Sequence, residues 1–594
     1  METKPLKTSP DAGTSRFQIV LCFLGLLVMN LVVALDSTAL AVAFPVIAKD
    51  INASFNSIYY TGTIFLLTSC VFQPVFASLA ALGRKFAILL ALSTFMLGII
   101  LCAVAKTVWL LILGRAIQGA GAGGTIAMTY VLMADMFTIR ERAKFVSLIS
   151  LMFMIGTVSG PLAGGGFADT IGWRWIFWSQ IPLTALALIL IPIFTKTVEL
   201  PGTKREILAN IDWVGMVGFT LGVTMLIMML SASGVSWPWG DWKTITGIST
   251  GFAMLAFTFG FSYRWHKTTK PMIPLLVVKN VTASINFVSL FFQGLLQGAF
   301  VYYLPLYFQT ARPYSPLMAG ILFLPQSAST TAIAIATGIL IARTHCIKPY
   351  SLLGWAIMTI GNIPLAMGLL DDTIPVRGWI LGNIPHALAA GLLIVSSTIA
   401  TQASAEARSD CSPADKMRVR AMAAALNPFF RALGQAVGVV VGETTVENRL
   451  RKILGNDAED VLQVIASLRE PGSAEQKKKL VLAIISSLNT LWIVLTVMSA
   501  LNLVLMLFTK DCEFRVPPGP SKDGEKEADK DKVDEPLEDV VSSASFERDV
   551  RRLSLLSHVH GAQVSTSPVP PVPAPWQREG RQRDGRYIGQ PNLL

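Results

Sequence analysis

Apolar runs long enough to cross a lipid bilayer recur along most of the chain. An α-helix rises about 1.5 Å per residue, so a hydrocarbon core of about 30 Å is crossed by roughly 20 apolar residues. Of the 594 residues, 52% are hydrophobic and only 15% are charged. This balance argues against a soluble enzyme, a nucleic-acid binder and a secreted disulfide scaffold. The sequence therefore predicts an all-α polytopic membrane protein.

Fourteen such runs, bounded by charged and turn-forming residues, are predicted to form transmembrane helices. They cover residues 17–44, 58–81, 86–105, 108–133, 145–167, 175–194, 211–230, 246–264, 282–309, 317–341, 351–369, 378–401, 421–443 and 482–508. An even number of spans leaves both termini on one side of the membrane. Short loops on that side hold 18 Lys and Arg residues and the opposite short loops hold 6, which predicts cytoplasmic termini. The outer segment 444–481 adds seven more, but it also carries many acids, and longer loops weigh less.

The net charge of +11 does not indicate nucleic acid as a partner. From Lys510 to the C-terminus, 13 basic and 15 acidic residues leave a balance of −2, so the basic excess lies among the membrane spans. Residues 517–594 are rich in Lys, Asp, Glu, Ser and Pro and are predicted to be disordered. In this tail, Arg551-Arg552-Leu553-Ser554 could be read by a basophilic kinase and Pro568–Pro575 by a proline-motif reader. A plain solvated tail is the alternative.

No metal, cofactor or enzymatic activity is expected. The five His residues are scattered without the spacing of metal ligands. The sequence lacks the Gly-x-x-x-x-Gly-Lys-Ser/Thr loop of ATP-driven pumps, and no nucleophile and base stand in a recognised spacing. The first apolar run is too long for the core of a signal peptide, so it is predicted to be a retained first span.

Three charged residues lie deep inside predicted spans: Asp36, Arg115 and Arg431. Each costs about 2.5 to 3.5 kcal/mol at the centre of a helix on insertion scales, so each is a functional candidate. Asp36 and Arg115 both lie roughly 10 to 12 Å from the outer ends of their spans, so they could meet. Protonation of the acid would then break an ion pair and couple a proton to a conformational change. A permanent structural pair and the absence of any contact are the alternatives.

Glycines cluster in the fourth and fifth spans. In the fourth span, Gln118 shares the helical face of Arg115 and lies within a run of small residues. The cluster of the fifth span comprises Gly156, Gly160, Pro161, Gly164, Gly165 and Gly166. Small residues at four-residue intervals form a flat packing face, and a proline promotes a kink. Simple helix packing explains this pattern in part, and a hinge or a sliding contact is the functional interpretation.

The ninth and tenth spans mix amide and aromatic side chains with apolar ones. Gln293 and Gln297 lie one helical turn apart, Tyr303 follows them, and Gln326 lies in the tenth span. A helix that faces a substrate cavity shows such a mixture. Together with Gln118 and Arg431, these residues are the candidate lining of a substrate cavity. Packing or interfacial anchoring explains Tyr303 and the neighbouring Tyr302 and Tyr307 almost as well.

Several motifs carry a resemblance to a known family. They are Leu35-Asp36-Ser37-Thr38 with Ala43-Phe44-Pro45, Leu113-Gly114-Arg115-Ala116-Ile117-Gln118-Gly119-Ala120-Gly121, the glycines of the fifth span, Trp173-Arg174-Trp175-Ile176-Phe177-Trp178, Asp212-Trp213, and Asn427-Pro428-Phe429-Phe430-Arg431 with Gly434 and Gly438. Across residues 17–508 the chain resembles the major facilitator superfamily, specifically the fourteen-span drug:proton antiporter branch of fungal toxin and multidrug efflux pumps. The resemblance implies that Arg115 takes part in proton coupling. It assigns the conformational switch to Gly156, Gly160, Pro161, Gly164 and Gly165.

The resemblance also implies a domain organisation. Residues 17–194 would form a first six-helix bundle and residues 282–508 a second, which includes the outer loop 444–481. Residues 195–281 would contain an inserted helix pair with its linkers, while residues 1–16 and 509–594 would be cytoplasmic tails. In this 6+2+6 major facilitator fold, substrate binds between the bundles, and their rocking gives alternating access.

The loop between the second and third spans departs from the family pattern, Gly-x-Leu-x-Asp-x-x-Gly-Arg-Lys/Arg. Here it reads Ala77-Ser78-Leu79-Ala80-Ala81-Leu82-Gly83-Arg84-Lys85, one residue short and without the acid. In the family that acid belongs to a charge cluster that holds the outward-facing state. Arg84 and Lys85 remain as switch residues, and Asp135, at the cytoplasmic end of the fourth span, is a candidate substitute partner.

The leading functional hypothesis is proton-coupled export of a small organic compound, such as a secondary metabolite, toxin or drug, with the proton gradient as its energy source. The expected partners are this substrate, protons and the lipid bilayer. The plasma membrane is the default location, although a vacuolar or vesicular address would leave the same pattern of spans. Proton-coupled uptake, for example of an iron chelate, and a non-transporting sensor or scaffold are the alternatives. Asn52-Ala53-Ser54 is a candidate glycosylation sequon on the outer side.

Overall fold

The computed structural model describes residues 16–52, 55–195, 209–233, 237–264, 271–278, 280–310, 316–367, 376–406, 413–454 and 474–510. These residues are almost entirely helical. The helices are α1 (Arg16–Asp50), α2 (Phe55–Leu79), α3 (Arg84–Ala103), α4 (Val108–Met136), α5 (Ile139–Thr170), α6 (Trp175–Trp178), α7 (Gln180–Phe194), α8 (Trp213–Ala232), α9 (Trp242–Arg264), α10 (Leu275–Val278), α11 (Val281–Thr310), α12 (Pro316–Thr344), α13 (Lys348–Ala366), α14 (Val376–Glu406), α15 (Pro413–Leu454) and α16 (Ala474–Leu507). The helical unit is Met1–Arg515, and a second unit, Val516–Leu594, lies outside the described residues.

Twelve helices in the described part of the chain are long and apolar enough to cross a membrane, two fewer than the fourteen predicted spans. Long helices also form at the two remaining predicted spans, α4 with 29 residues and α13 with 19. Both fall short in mean hydropathy rather than in helix formation. α4 carries Arg115, Gln118 and many glycines, and α13 begins with Lys348 and contains Asn362. Hydropathy therefore misses the helix that carries the arginine of the candidate site.

Two sets of six long helices form two bundles. In the first bundle (α1–α7), α1 packs against α5 and α7, and α4 packs against α2 and α3. In the second bundle (α11–α16), α11 packs against α15, and α14 packs against α12 and α13. Glycine sets the closest approaches: a Cβ at Gly164 of α5 would overlap the Ala39 backbone of α1, and one at Gly438 of α15 would overlap the Leu295 backbone of α11. Such contacts require Gly because any side chain would push the helix axes apart.

The inserted pair, α8 and α9, is tied at one end by Asp212. Its buried carboxylate caps α8 by accepting a hydrogen bond from Gly215 N at 2.7 Å. The other carboxylate oxygen accepts from Ser262 Oγ at the end of α9 and from Met272 N in the following linker. Through α8, the pair contacts both bundles, since α8 packs against α2 and α15. This cluster explains the Asp212-Trp213 motif as a capping and linking element.

The two bundles contact each other near one end of their helices. Ser147 Oγ of α5 donates to Ala334 O of α12 at 2.8 Å, and Gly338, one turn further along α12, abuts Ser147 and Ala143. Each residue lies within about three turns of the helix end that the charge rule predicts to be cytoplasmic. α15 also contacts α2 and α4 across the interface.

Several predicted boundaries shift. Around the segment predicted as an outer loop, 444–481, the helices are longer than the apolar runs, since α15 continues to Leu454 and α16 begins at Ala474. Apolar residues such as Val446 and Leu450 extend the buried face of α15, which explains why the helix continues beyond the apolar run. Residues 455–473, the tail motifs at 551–554 and 568–575, and Ser54 of the sequon lie outside the described residues. Asn52 itself is exposed, with a φ of 48°.

Candidate functional site

Asp36 and Arg115 meet in the interior of the first bundle. Arg115 Nη1 of α4 lies 2.6 Å from Asp36 Oδ2 of α1, and the two side chains are 1% and 0% exposed. The guanidinium also donates through Nε to Thr61 O of α2 at 3.4 Å and lies 4.0 Å over the Phe65 ring. Small residues let the helices close around it, since Gly114 and Gly119 approach α3 and α2 too closely for a Cβ. The result is an ion pair sealed from solvent.

Two glutamines complete a closed ring with this pair. Arg115 Nη1 donates to Gln118 Oε1 at 2.8 Å, Gln118 Nε2 to Gln180 Oε1 at 3.4 Å, and Gln180 Nε2 to Asp36 Oδ1 at 2.8 Å. Gln118 belongs to this ring, although it was predicted as a cavity residue. Gln180 of α7 was missed. Gln180 is a polar residue near the start of an apolar span. The criterion that selected Gln293, an amide side chain within an apolar span, would also have selected Gln180.

Because this ring is buried, the charges of Asp36 and Arg115 depend on each other. A buried ion pair is stable only while both charges are present, because removing one leaves the other without compensation in a medium of low dielectric constant. Each carboxylate oxygen of Asp36 has a donor, and the two strong donors are Arg115 and Gln180. Cys102 of α3 adds a weak contact, with Sγ 3.8 Å from Gln118 Oε1. A proton that neutralised Asp36 would therefore disturb three helices at once.

The predicted switch residues of α5 contact the same stretch of α1 that carries Asp36. A Cβ on Gly156 would lie 2.9 Å from Leu35 N, and one on Gly160 would lie 2.7 Å from Leu35 O. Pro161 and Gly165 are half-buried in the same helix. Any rotation of α1 that follows a change at Asp36 must therefore move against α5, which in turn contacts α12 of the second bundle.

In the predicted cytoplasmic charge cluster, Arg84 and Asp135 form a close ion pair. Arg84 Nε lies 2.8 Å from Asp135 Oδ2, and Arg84 Nη1 donates to Ala80 O at 3.2 Å. Asp135 is thus the acidic partner of Arg84 that the loop between α2 and α3 lacks. Lys85 is half-buried beside it. Gly83, with φ 136°, forms the turn that leads Arg84 into α3.

The other predicted cavity residues of the second bundle differ in burial and in hydrogen bonding. Gln293 is buried, and neither atom of its side-chain amide has a partner among the described residues. Gln297 and Gln326 are half-buried. Tyr303 packs inside the second bundle, where its hydroxyl donates to Val439 O at 3.1 Å. Its surroundings therefore indicate helix packing rather than cavity lining.

Arg431 lies at the contact between the bundles. Its Nη2 donates to Tyr130 Oη of α4 at 3.3 Å, and the side chain is half-buried. Gly294 of α11 packs against the Arg431 backbone. Arg431 therefore links α15 to the helix that also carries Arg115, although it lies outside the ring.

Comparisons with known proteins agree with this architecture. The profile of the Major Facilitator Superfamily matches residues 26–439. The chain is 32% identical over 515 residues to MFS transporter L2 of Phoma sp. (strain ATCC 20986 / MF5453), a match that covers 84% of this chain and 83% of the relative. It is 28% identical over 527 residues to the MFS-type efflux pump LUC4 of Fusarium sp, covering 86% and 91% of the two chains.

Solved structures share the fold at low sequence identity. The human organic anion transporter MFSD10 superposes with a TM-score of 0.51 at 16% identity, covering 83% of this chain and 99% of that one. A double Trp mutant of XylE superposes with a TM-score of 0.53 at 15% identity, covering 84% and 98%. At this identity, the likeness supports the helical architecture alone. The profile match and the relative that is 32% identical over 84% of this chain show that the chain belongs to the Major Facilitator Superfamily.

Proposed function

We propose that the protein is a proton-coupled secondary transporter that exports a small organic compound, of the secondary metabolite, toxin or drug type. The observation that carries the proposal is the sealed Asp36–Arg115 pair, which lies against the glycine face of α5. A protonatable acid paired inside a membrane marks a proton relay. Relatives named as efflux pumps, and one named as the transporter of an acurin A biosynthesis cluster, support export as the direction.

Proton uptake is coupled to a conformational change through the opposite charges of Asp36 and Arg115. A proton from the outer side neutralises Asp36, and Arg115 then loses its counter-charge. Arg115 must find new partners, which favours a rotation of α1 and α4. α1 moves against the glycines of α5, and α5 transmits the motion to α12 at the bundle interface. Return to the inward-facing state lets the proton leave and substrate bind from the cytoplasm, so proton influx drives substrate out.

The proposal includes a fourteen-span topology with cytoplasmic termini, in which α4 and α13 span the membrane despite their lower hydropathy. Each packs against two neighbours, α4 against α2 and α3 and α13 against α14 and α16, and their polar residues Arg115, Gln118 and Asn362 are buried on the protein-facing side. Polar residues on a protein-facing helix do not meet lipid. In this orientation the contact between Ser147 and Ala334 lies on the cytoplasmic side and closes the path between the bundles there. The plasma membrane is the location we propose.

The test uses pump-deficient yeast that expresses the wild type, Asp36→Asn, Arg115→Ala or the control Asp50→Asn, at matched surface levels. Asp50 undergoes the same chemical change at the exposed end of α1. Accumulation of a panel of labelled compounds is measured with and without a protonophore. We expect wild type and Asp50→Asn to lower the accumulation of at least one compound, and both ring variants and the protonophore to restore it.

Other outcomes contradict specific parts of the proposal. Raised accumulation by the wild type would indicate uptake. Unchanged efflux by both ring variants would reduce the pair to a structural role. A phenotype that depends on the tail beyond residue 508 but survives Asp36→Asn would indicate a sensor or scaffold.

A further inference from the structure

We infer that Gln180 and Gln118 form an amide relay. When Asp36 is protonated, the two amides reorient and so transmit the change to Arg115 by a second route, in addition to the direct ion pair. The inference rests on the proposed function, because it assumes that Asp36 takes up the coupling proton. It assigns a positioning role to Gln180. The argument depends on the direction of each hydrogen bond in the ring.

In the described state, all hydrogen bonds in the ring run from Arg115 to Asp36. One path is direct, from Arg115 Nη1 to Asp36 Oδ2 at 2.6 Å. The other passes through Gln118 and Gln180, and each amide accepts on its oxygen and donates from its nitrogen. Arg115 can only donate, and an ionised carboxylate can only accept. The two end groups therefore determine the orientation of both amides.

Protonation of Asp36 turns the carboxyl end of the ring from a hydrogen-bond acceptor into a donor. If the proton is on Oδ1, the carboxyl must donate, so Gln180 must turn its oxygen toward it and its nitrogen toward Gln118. Gln118 must then turn as well, which brings its nitrogen against Arg115 Nη1. Two donors cannot bond to each other, so Arg115 loses Gln118 as an acceptor. If the proton is on Oδ2, it faces Arg115 directly and the same conflict arises there. Either position of the proton costs Arg115 one of its two acceptors in the ring.

Because the ring is buried, the loss of this acceptor is costly for Arg115. Asp36, Arg115, Gln118 and Gln180 are each at most 2% exposed, so water cannot easily replace a lost partner. Among the described residues, the charged group that faces Asp36 is Arg115 of α4, and the further titratable group at the ring is Cys102 of α3. α2 contributes the Thr61 carbonyl and α7 the Gln180 amide. α5 contributes its glycine face.

Gln180 is also anchored in a way that resists turning. Its Nε2 donates a second hydrogen bond to Ile176 O at 3.0 Å, one turn earlier along the chain. Turning the amide breaks this bond together with the bond to Asp36. The relay is therefore held in one orientation while Asp36 is ionised and is released when Asp36 is protonated.

The experiment uses full-length protein in proteoliposomes and a transported compound identified by the accumulation assay. The variants are Gln180→Met and Gln118→Met, which keep chain length but remove the amide, and the double variant. Thr184→Val is the matched control, because Thr184 is equally buried one turn along α7. Among the described residues, its hydroxyl donates to the Gln180 carbonyl and takes no part in the ring. Two rates are measured: transport driven by a pH gradient, and substrate exchange at equal pH, which requires no net proton movement.

We expect each single variant to lower gradient-driven transport about tenfold while exchange stays within about twofold of wild type. Because both residues serve one path, the double variant should be no more than about twofold worse than Gln118→Met alone. The midpoint of the pH profile of transport should move by about one pH unit in Gln180→Met and remain in place in Thr184→Val.

The relay is wrong if Gln180→Met keeps wild-type gradient-driven transport, if exchange and driven transport fall together, or if the effects of the two single variants multiply. Asp36→Asn separates this failure from failure of the proposed function. Loss of coupling in Asp36→Asn with normal coupling in Gln180→Met overturns only the relay. Retained coupling in Asp36→Asn overturns the proposed function itself.

Discussion

The two bundles stabilise their interiors with different chemistry. Asp36 with Arg115 and Arg84 with Asp135 are ion pairs between helices of the first bundle. The comparable contacts described in the second bundle are neutral. Trp355 Nε1 and Asn502 Nδ2 both donate to Ser289 Oγ, at 2.9 and 3.2 Å, and join α11, α13 and α16. In α13 and α14, His386 Nδ1 lies 3.1 Å from Asn362 Oδ1, and the His386 ring stacks on Phe300 with centroids 3.5 Å apart.

This difference indicates that the two bundles have different functions. A buried ion pair responds strongly to the gain of one proton, because neutralising either partner leaves the other uncompensated. Neutral hydrogen bonds have no such response at physiological pH. Both bundles use a glycine-mediated helix pair, α1 with α5 and α11 with α15. Among the described residues, the pair of the first bundle has beside it a buried acid, Asp36, that is ion-paired with a residue of another helix. Under the proposed function, the first bundle would sense protons and the second would provide a fixed frame.

The largest expected effect comes from breaking the Asp36–Arg115 pair. Arg115→Met or Asp36→Asn alone should reduce stability by about 3 to 5 kcal/mol, because the remaining charge stays buried without a partner. The double variant Asp36→Asn/Arg115→Gln replaces the pair with neutral groups of the kind found in the second bundle. It should regain most of the stability but no proton-driven transport. Thermal unfolding in detergent and the proteoliposome assay measure the two properties. A double variant that also regained driven transport would remove the distinction between the bundles.

A smaller effect is expected from adding a methyl group to the glycine face. Gly164→Ala should destabilise the protein by about 1 to 3 kcal/mol, because its Cβ would overlap the Ala39 backbone. Gly438→Ala in the second bundle meets the Leu295 backbone and should cost a similar amount. Gly166→Ala is the control, since nothing lies within 4 Å of its added Cβ.

The glycine series also separates the functions of the bundles. Only Gly164→Ala pushes α1 away from α5 close to Asp36. Driven transport per folded molecule should therefore fall in Gly164→Ala and be largely retained in Gly438→Ala. Equal loss in both variants would mean that close packing, rather than proximity to the acid, limits transport.

A neutral contact of the second bundle should affect stability without affecting coupling. Ser289→Ala removes the acceptor of both Trp355 and Asn502, which should cost about 1 to 3 kcal/mol. Transport by the folded protein should keep the wild-type pH profile, because no titratable group is involved. The measurement is thermal unfolding together with driven transport across a pH series. A displaced pH profile would show that the second bundle also takes part in proton sensing.

The smallest effect is expected at the exposed C-terminal end of α1. Trp173 Nε1 donates to Asp50 Oδ2 at 3.0 Å and Arg174 Nη1 donates at 2.8 Å, and these contacts hold the pKa of Asp50 below its ordinary value of 3.8. A lowered folded-state pKa stabilises the fold above the unfolded-state pKa, and this contribution is lost as the pH falls through the folded-state pKa. Asp50→Asn should therefore be slightly less stable at neutral pH, and the difference should vanish in acid. A difference that is constant with pH would exclude the ionised carboxylate as its cause.

The sequence predicted the parts of this protein that follow from the cost of placing a chain in lipid. Apolar runs predicted the helical membrane fold. Two opposite charges at similar depth predicted the contact between Asp36 and Arg115, because each charge requires a partner. The glycines of α5 predicted a close helix contact, although the pattern alone could not name α1 as the neighbour.

Only the tertiary structure decided which polar side chains from different helices meet. Gln180 in the ring, Asp135 beside Arg84, and Tyr303 against Val439 all depend on how each helix is rotated about its axis. One residue turns a helix face by about 100°, as follows from 3.6 residues per turn. In a soluble protein an apolar stripe reveals this rotation. In a membrane protein the lipid-facing and protein-facing sides are both apolar, so the rotation is determined by packing between helices.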